Sequence, residues 1–114
     1  MSLKSANGDQ DPSRVDDNGN VVERTELLLP YPNPFNPMAT VAFNLKTPGK
    51  ATLTIYDVRG RFVRSLEDGY LESGRHEYYW LGRDRNGQRV ASGVYFARLQ
   101  ADGQNMIKRM MLIK

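Results

Sequence analysis

The sequence contains no cysteine, so disulfide bonds and thiolate metal sites are excluded. It has no run of about 18 apolar residues, the length that a membrane-spanning helix needs. The longest apolar cluster near the N-terminus is Leu27–Leu29, which Pro30 ends and which is too short for the core of a signal peptide. If the protein is exported, we expect its signal to lie upstream of this sequence.

The charge is low and unevenly divided. Residues 1–26 carry a net charge of −3 and the remainder a net charge of +6, within a chain of 114 residues that fits a single domain. The basic residues of the remainder are scattered and form no dense tract, so a solvated surface is favoured over nucleic-acid binding. We expect no nucleic-acid partner.

The first twenty residues are polar and have too few apolar side chains to bury. They predict a flexible linker over residues 1–20, with Met1–Leu3 as a cloning leader, followed by one domain over residues 21–114. Asp9 and Asp11 alternate like calcium ligands, but the further ligands, the central glycine and the terminal glutamate of an EF-hand loop are missing. We therefore expect no metal there.

Alternation of apolar and polar residues, with turn residues between the runs, predicts an all-β protein. Helical spacing is absent, and about seven strands at this spacing are typical of an immunoglobulin-like antiparallel β-sandwich. Trp80 is the predicted central core residue, Asp102-Gly103 a hairpin turn, and residues 67–74 a polar loop. The second and third strands are expected to pair as a hairpin. The predicted strands are 21–29, 40–45, 51–56, 61–66, 75–80, 94–99 and 106–113.

Four prolines fall within residues 30–37, which forbids a helix and a central strand there. We expect an ordered edge segment or loop, extended in conformation, that Tyr31 and Phe35 attach to the core. This segment, Tyr31–Pro37, is called the strap below.

Candidate chemistry is sparse. His76 is the single histidine and lies in an alternating strand, which favours a packing role over a catalytic one. No catalytic residue, cofactor or metal is expected. The carboxylates considered for glycoside hydrolysis are Glu67, Asp68, Glu72 and Asp84. The aromatic residues considered for sugar stacking are Tyr70, Tyr78 and Tyr79.

The strap reads Tyr31-Pro32-Asn33-Pro34-Phe35-Asn36-Pro37 and closely resembles the opening Y-P-N-P-F-N-P of the C-terminal sorting domains of type IX secretion. Those domains are related to the immunoglobulin-like domain of flagellar hook-cap proteins. Later segments resemble the family in the same order: I-Y-D-x-x-G-R at 55–61, G-x-H at 74–76, W-D-G-R-D-x-x-G at 80–87, S-G-V-Y-F at 92–96 and K-x-M-x-L-x-K at 108–114. One departure is Leu81 in the segment 80–87, where the family usually has aspartate.

The resemblance implies a non-catalytic module that outer-membrane secretion machinery reads, with an N-terminal cargo domain in the parent chain. It implies a secreted or cell-surface location reached through the periplasm. A hook-cap assembly module and a carbohydrate-binding sandwich are the alternatives, and strand edges could also support a homodimer.

We expect the terminal strand to be the part that is recognised, through its edge and its cationic groups, with the strap as a brace. Residues with structural roles are expected in the later motifs. The recognition candidates are Lys108, Arg109, Met110, Leu112 and Lys114. The structural candidates are Trp80, Gly82, Asp84, Gly87, Gly93 and Tyr95.

Overall fold

The computed structural model describes residues 23–114, and every regular element among them is a strand. The predicted linker, the aspartates considered for calcium and the start of the predicted first strand lie outside the described residues. The all-β, immunoglobulin-like sandwich is confirmed. The strands are β1 (Glu26–Leu27), β2 (Ala39–Leu45), β3 (Gly49–Asp57), β4 (Phe62–Leu71), β5 (Gly74–Trp80), β6 (Gly93–Ala101) and β7 (Gln104–Leu112).

Two antiparallel sheets pack face to face. One has the strand order β1-β2-β5 and the other the order β4-β3-β6-β7. Their inward positions supply the core, because successive side chains of a strand point to opposite faces. The alternating apolar residues of the predicted strands 40–45 and 51–56, now β2 and β3, are buried, and so is the inward row of β6. These core residues are Val41, Phe43, Leu45, Ala51, Leu53, Ile55, Tyr95, Ala97 and Leu99.

Trp80, the last residue of β5, is buried in the core, as predicted. Its indole ring is 1% exposed and lies between the rings of Phe35, at 5.5 Å, and Tyr95, at 5.1 Å between centroids. The indole Nε1–H donates to the carbonyl of Arg83 at 2.9 Å, which satisfies the one polar group of a buried tryptophan.

The predicted hairpin of β2 and β3 is wrong. β2 pairs with β1 and β5, whereas β3 pairs with β4 and β6, so the link Lys46–Pro48 crosses from one sheet to the other. Alternation predicts which face of a strand is buried, but two such strands can meet across the core as well as side by side. The backbone N–H of Lys46 donates to Thr25 Oγ1 at 2.9 Å, which holds the crossing in place.

The predicted polar loop over residues 67–74 is also wrong in its larger part. β4 continues through Glu67 to Leu71 and pairs with the first half of β3. Two register shifts, at Leu53/Thr54 and Ile55/Tyr56, interrupt the pairing and with it the alternation of β4. An edge strand that is half exposed can form from polar residues, because only one of its faces needs to be apolar.

Two turns of the same design lie at one end of the sandwich, beginning at Asp57 and Asp84. In each, the aspartate Oδ1 accepts backbone N–H groups two and four residues later, at 2.9 to 3.0 Å. The glycine three residues after each aspartate has φ of 81°, a conformation that favours glycine. Arg64 of β4, the strand that follows the first turn, donates from Nη1 to the Asp84 carbonyl of the second at 2.6 Å. The predicted Asp102-Gly103 hairpin turn is confirmed, with φ of 54° and 69°.

Tyr78 joins the two sheets on the side where β4 and β5 form their edges. Its hydroxyl donates to Glu67 Oε1 at 2.7 Å. Burial of the ring, and then the hydrogen bond to the Glu67 carboxylate, raise the pKa of the Tyr78 hydroxyl well above its usual range. Burial also raises the pKa of Tyr95.

We predict that Trp80→Ala lowers the free energy of unfolding by about 3–5 kcal/mol, the usual cost of deleting a large buried aromatic side chain. Tyr79, the preceding residue, is 57% exposed, so Tyr79→Ala is the control and should cost under about 1 kcal/mol. Urea denaturation of both variants measures the difference. Equal losses would contradict the central position of Trp80.

We also predict an alkaline loss of stability that depends on Tyr78. A tyrosine whose folded pKa is raised contributes its full stability below the unfolded value of about 10 and loses it as the pH rises above that value. Tyr78→Phe should therefore lose less stability than the unsubstituted protein between pH 9 and pH 11. Tyr70, which is exposed, provides the control Tyr70→Phe. The free energy of unfolding of each protein is measured by urea denaturation across this pH range. An equal loss in Tyr78→Phe and the unsubstituted protein would contradict the role of Tyr78.

Candidate recognition site

The strap and β7, which lie at opposite ends of the sequence, form one structure. Asn33 Nδ2 donates to the Arg109 carbonyl at 3.3 Å, and the Met111 N–H donates to Asn33 Oδ1 at 3.0 Å. The Phe35 N–H donates to the Met111 carbonyl at 2.9 Å, and the Ile113 N–H donates to the Phe35 carbonyl at 3.0 Å. The strap therefore covers the outer edge of the downstream half of β7. This paired unit is called the clamp below.

The strap reaches both sheets. At its start, Tyr31 exchanges two backbone hydrogen bonds with Thr40 of β2, at 2.8 and 3.1 Å. Four residues later the Phe35 side chain is 1% exposed and packs on Trp80. Phe35 attaches the strap to the core as predicted, whereas Tyr31 is exposed and attaches it mainly through its backbone. Between these points the strap bends rather than running straight, unlike the extended segment that we predicted.

The structure separates the five recognition candidates by their exposure. Met110 and Leu112 point inward and are buried in the core, so a partner cannot touch them in the folded domain. Lys108 is half buried, and Arg109 and Lys114 are exposed. A partner that reads β7 would thus meet a different set of side chains from the predicted one. The exposed residues of this stretch are Arg109, Met111, Ile113 and Lys114.

The edge of β7 is less open than the sequence indicated. Its downstream half already hydrogen-bonds the strap, so a partner strand could add there only by displacing it. Upstream of Arg109, β6 pairs with the inner edge of β7, and no strand of the described residues pairs with its outer edge. This pairing had no signal in the sequence, because 76 to 78 residues separate Asn33 from its partners.

The structural candidates lie near the clamp or in the turns beside it. Gly82 has φ of 70°, and a Cβ at this position would meet Leu112 Cδ2 at 3.3 Å and the Pro37 carbonyl at 3.8 Å. Glycine at 82 therefore lets the loop after β5, the strap and β7 converge. The Tyr95 hydroxyl donates to the Ala91 carbonyl at 2.6 Å and so holds the chain that enters β6 at Gly93.

The residues considered for catalysis and sugar binding make structural contacts, among them the hydrogen bond from Tyr78 to Glu67. The His76 ring packs against the Phe43 ring in a tilted arrangement, with 5.4 Å between centroids, and its Nε2 lies 2.7 Å from the Glu72 carbonyl oxygen. Tyr70 and Tyr79 are exposed, whereas Tyr78 is half buried. Within residues 23–114, no group of three or more histidine, aspartate or glutamate side chains could hold a metal ion. No helix of the same residues has the length and apolar character needed to cross a membrane.

Comparison with known proteins gives the following family and relatives. Residues 36–105, more than half of the chain, match the FlgD Ig-like domain. A stretch of 46 residues is 46% identical to the basal-body rod modification protein FlgD of Salmonella typhimurium, covering 40% of this chain and 20% of that protein. The chain thus spans about a fifth of the length of the curated relatives that it matches.

Two solved structures from Porphyromonas gingivalis are also similar. Dimeric latent PorU superposes with a TM-score of 0.61 at 24% identity, over 78% of this chain and 9% of that chain. PorZ, described as an essential bacterial surface component of the type IX secretion system, superposes with a TM-score of 0.49 at 23% identity, over 79% and 11% of the two chains. The likeness to PorU shows a shared fold.

We predict that Asn33→Ala loosens the clamp, because its side chain supplies two hydrogen bonds to the edge of β7. The loss should be about 1–2 kcal/mol at most, since each such bond contributes about 0.5–1.5 kcal/mol and this site is exposed. Amide hydrogen exchange at Met111 should accelerate. Asn36→Ala, three residues along the same strap, is the control. Unchanged exchange at Met111 in Asn33→Ala would contradict the pairing.

Proposed function

The chain belongs to the FlgD Ig-like domain family, and we propose that within this family it is a non-catalytic sorting module. It directs a larger exported bacterial protein through the periplasm and across the outer membrane to the cell surface. Its partners are the outer-membrane secretion machinery and the cargo domain of its parent chain.

The observation that carries this proposal is the clamp. The family match begins at residue 36 and ends at residue 105, so most of the strap and the downstream half of β7 lie outside it. These two outlying segments carry the Y-P-N-P-F-N-P and K-x-M-x-L-x-K patterns that resemble type IX sorting domains. They hydrogen-bond to each other, and this contact between two segments outside the family match supports a distinct role for them beyond the shared sandwich.

A hook-cap assembly module is the second candidate function. The 46% identity to the FlgD of Salmonella typhimurium favours it, although that stretch covers 20% of the FlgD chain. Replacing the immunoglobulin-like domain of that FlgD with this chain tests it. Restored swimming of a strain without FlgD would support assembly, and paralysed cells with a stable chimaera would oppose it.

Export of a reporter tests the leading proposal. We predict that a periplasm-directed reporter fused ahead of the 114-residue chain reaches the surface of a host with type IX secretion. The same fusion should stay in the periplasm of a matched host that lacks the secretion machinery. A folded, protease-resistant fusion that remains periplasmic in the competent host would refute the proposal.

Within the clamp, we propose that the exposed side chains of β7 are read and that the strap is the brace. Removing residues 108–114 would strip Met110 and Leu112 from the core, so truncation cannot separate recognition from folding. A charge reversal can do so. We predict that Arg109→Glu reduces export several-fold with an unchanged melting temperature, because Arg109 is exposed and surface substitutions cost little stability.

Arg59→Glu is the matched control for that variant, since Arg59 is an exposed arginine in the turn after β3. It should export normally. Normal export of Arg109→Glu would show that Arg109 is not part of the recognised surface. An equal loss of export in both variants would indicate a requirement for net positive charge instead.

A further inference from the structure

A cationic pocket lies where the strap ends against β7. Its volume is about 310 Å³, at the lower limit of the range for ligand sites. Three separate parts of the chain form its wall: the end of the strap, the loop after β5, and the end of β7. The lining residues are Asn36, Pro37, Leu81, Gly82, Arg83, Arg89, Leu112 and Lys114.

The charged side chains that line this pocket are all positive. Arg83, Arg89 and Lys114 line it, and none of the lining residues is acidic. The ion pairs found among residues 23–114 involve Arg24, Lys50, Arg61 and Arg75, so the three pocket cations have no carboxylate partner there. An anion entering the pocket would therefore find charges that the described protein does not already neutralise.

Backbone pairing forces two of these cations together. Arg83 and Arg89 are directly opposite in an isolated antiparallel bridge, so their side chains leave the same face. Like charges at such positions destabilise a pair. The Arg83 guanidinium is fixed by donating from Nη1 to the Gly87 carbonyl at 2.8 Å, which leaves its remaining donors for a ligand. Arg89 is exposed and faces the same space.

Apolar groups border the cations. Leu81 is 52% exposed at the rim, and Pro37 and Leu112 contribute to the wall. A small inorganic anion would use the arginines and leave this apolar surface in water. A polypeptide segment with a carboxylate beside an aliphatic side chain would use both. Guanidinium groups also match carboxylates in geometry, with paired N–H donors.

We propose that this pocket binds an acidic segment of a partner polypeptide, with a glutamate or aspartate carboxylate between Arg83 and Arg89 and an aliphatic neighbour on Leu81. This inference stands apart from the sorting proposal, because the pocket can be tested on the isolated chain without any export.

The experiment uses the full 114-residue chain labelled with ¹⁵N and two blocked peptides, Glu-Leu-Glu and Gln-Leu-Gln. The acidic peptide should give saturable shifts of the amide signals of Gly82, Arg83 and Arg89, weakening as salt is added. The amide peptide should give none. Sodium phosphate at the same concentration should bind more weakly than the acidic peptide, because it cannot cover Leu81.

Three variants locate the binding. Arg89→Gln should weaken it about tenfold, the loss expected for one charge-assisted hydrogen bond. Leu81→Asp should weaken it at least as much, since it places a carboxylate beside the arginines at an exposed position that should tolerate the change. Arg59→Gln removes an equal charge outside the pocket and should leave the affinity unchanged.

Four results would overturn the proposal. An equal loss of affinity for the acidic peptide in Arg59→Gln and Arg89→Gln would show that binding depends only on overall charge. Equal binding of the amide peptide would show that the carboxylate is not recognised. Phosphate binding as tight as that of the acidic peptide would show that the site does not prefer a polypeptide. Absence of shifts at residues 82, 83 and 89 would show that the peptide does not bind at the pocket.

Discussion

The contact of Trp80 with Phe35 and Tyr95 is the interaction on which the rest of the structure depends. One indole ring joins three segments that are far apart in sequence: the end of β5, the strap and the start of β6. Its Nε1–H also fixes the Arg83 carbonyl and so the course of the loop that follows. Burial of large aromatic rings is the strongest stabilising contribution that a small core without disulfides can make. The strap holds its position through this contact together with its hydrogen bonds to Thr40 and β7.

Each lateral side of the sandwich is closed in a different way. On the side of β4 and β5, the phenol of Tyr78 reaches Glu67 across the gap between the sheets. On the side of β1 and β7, Thr25 donates to Asp102 Oδ2 at 2.9 Å, and the strap connects β2 to β7 further along. Covering an edge protects it from pairing with other chains. A partner that bound the covered half of β7 would therefore meet side chains rather than free backbone groups.

Much of the fold could be predicted from the alternation of residues, and the rest could not, for physical reasons. The buried faces of β2 and β3 follow from the alternation of apolar and polar residues. The burial of Trp80 follows from the large apolar surface of its side chain. The partner of a strand does not follow from its own pattern, which is why β2 and β3 were wrongly paired. β4 was predicted too short because register shifts disturb its alternation and its edge position permits polar residues. The clamp rests on backbone groups and one asparagine, neither of which the sequence pattern distinguishes.

The shape of the pocket depends on the clamp. Asn36 and Pro37 form one of its walls, so the pocket keeps its shape only while the strap is seated on β7. Gly82 permits this convergence because a side chain there would press on Leu112. A partner that holds the pocket therefore also stabilises the seated strap, since binding to one state of a protein favours that state. The strap and the cationic wall are thus structurally coupled, and the sandwich beneath supplies the surface on which both are held.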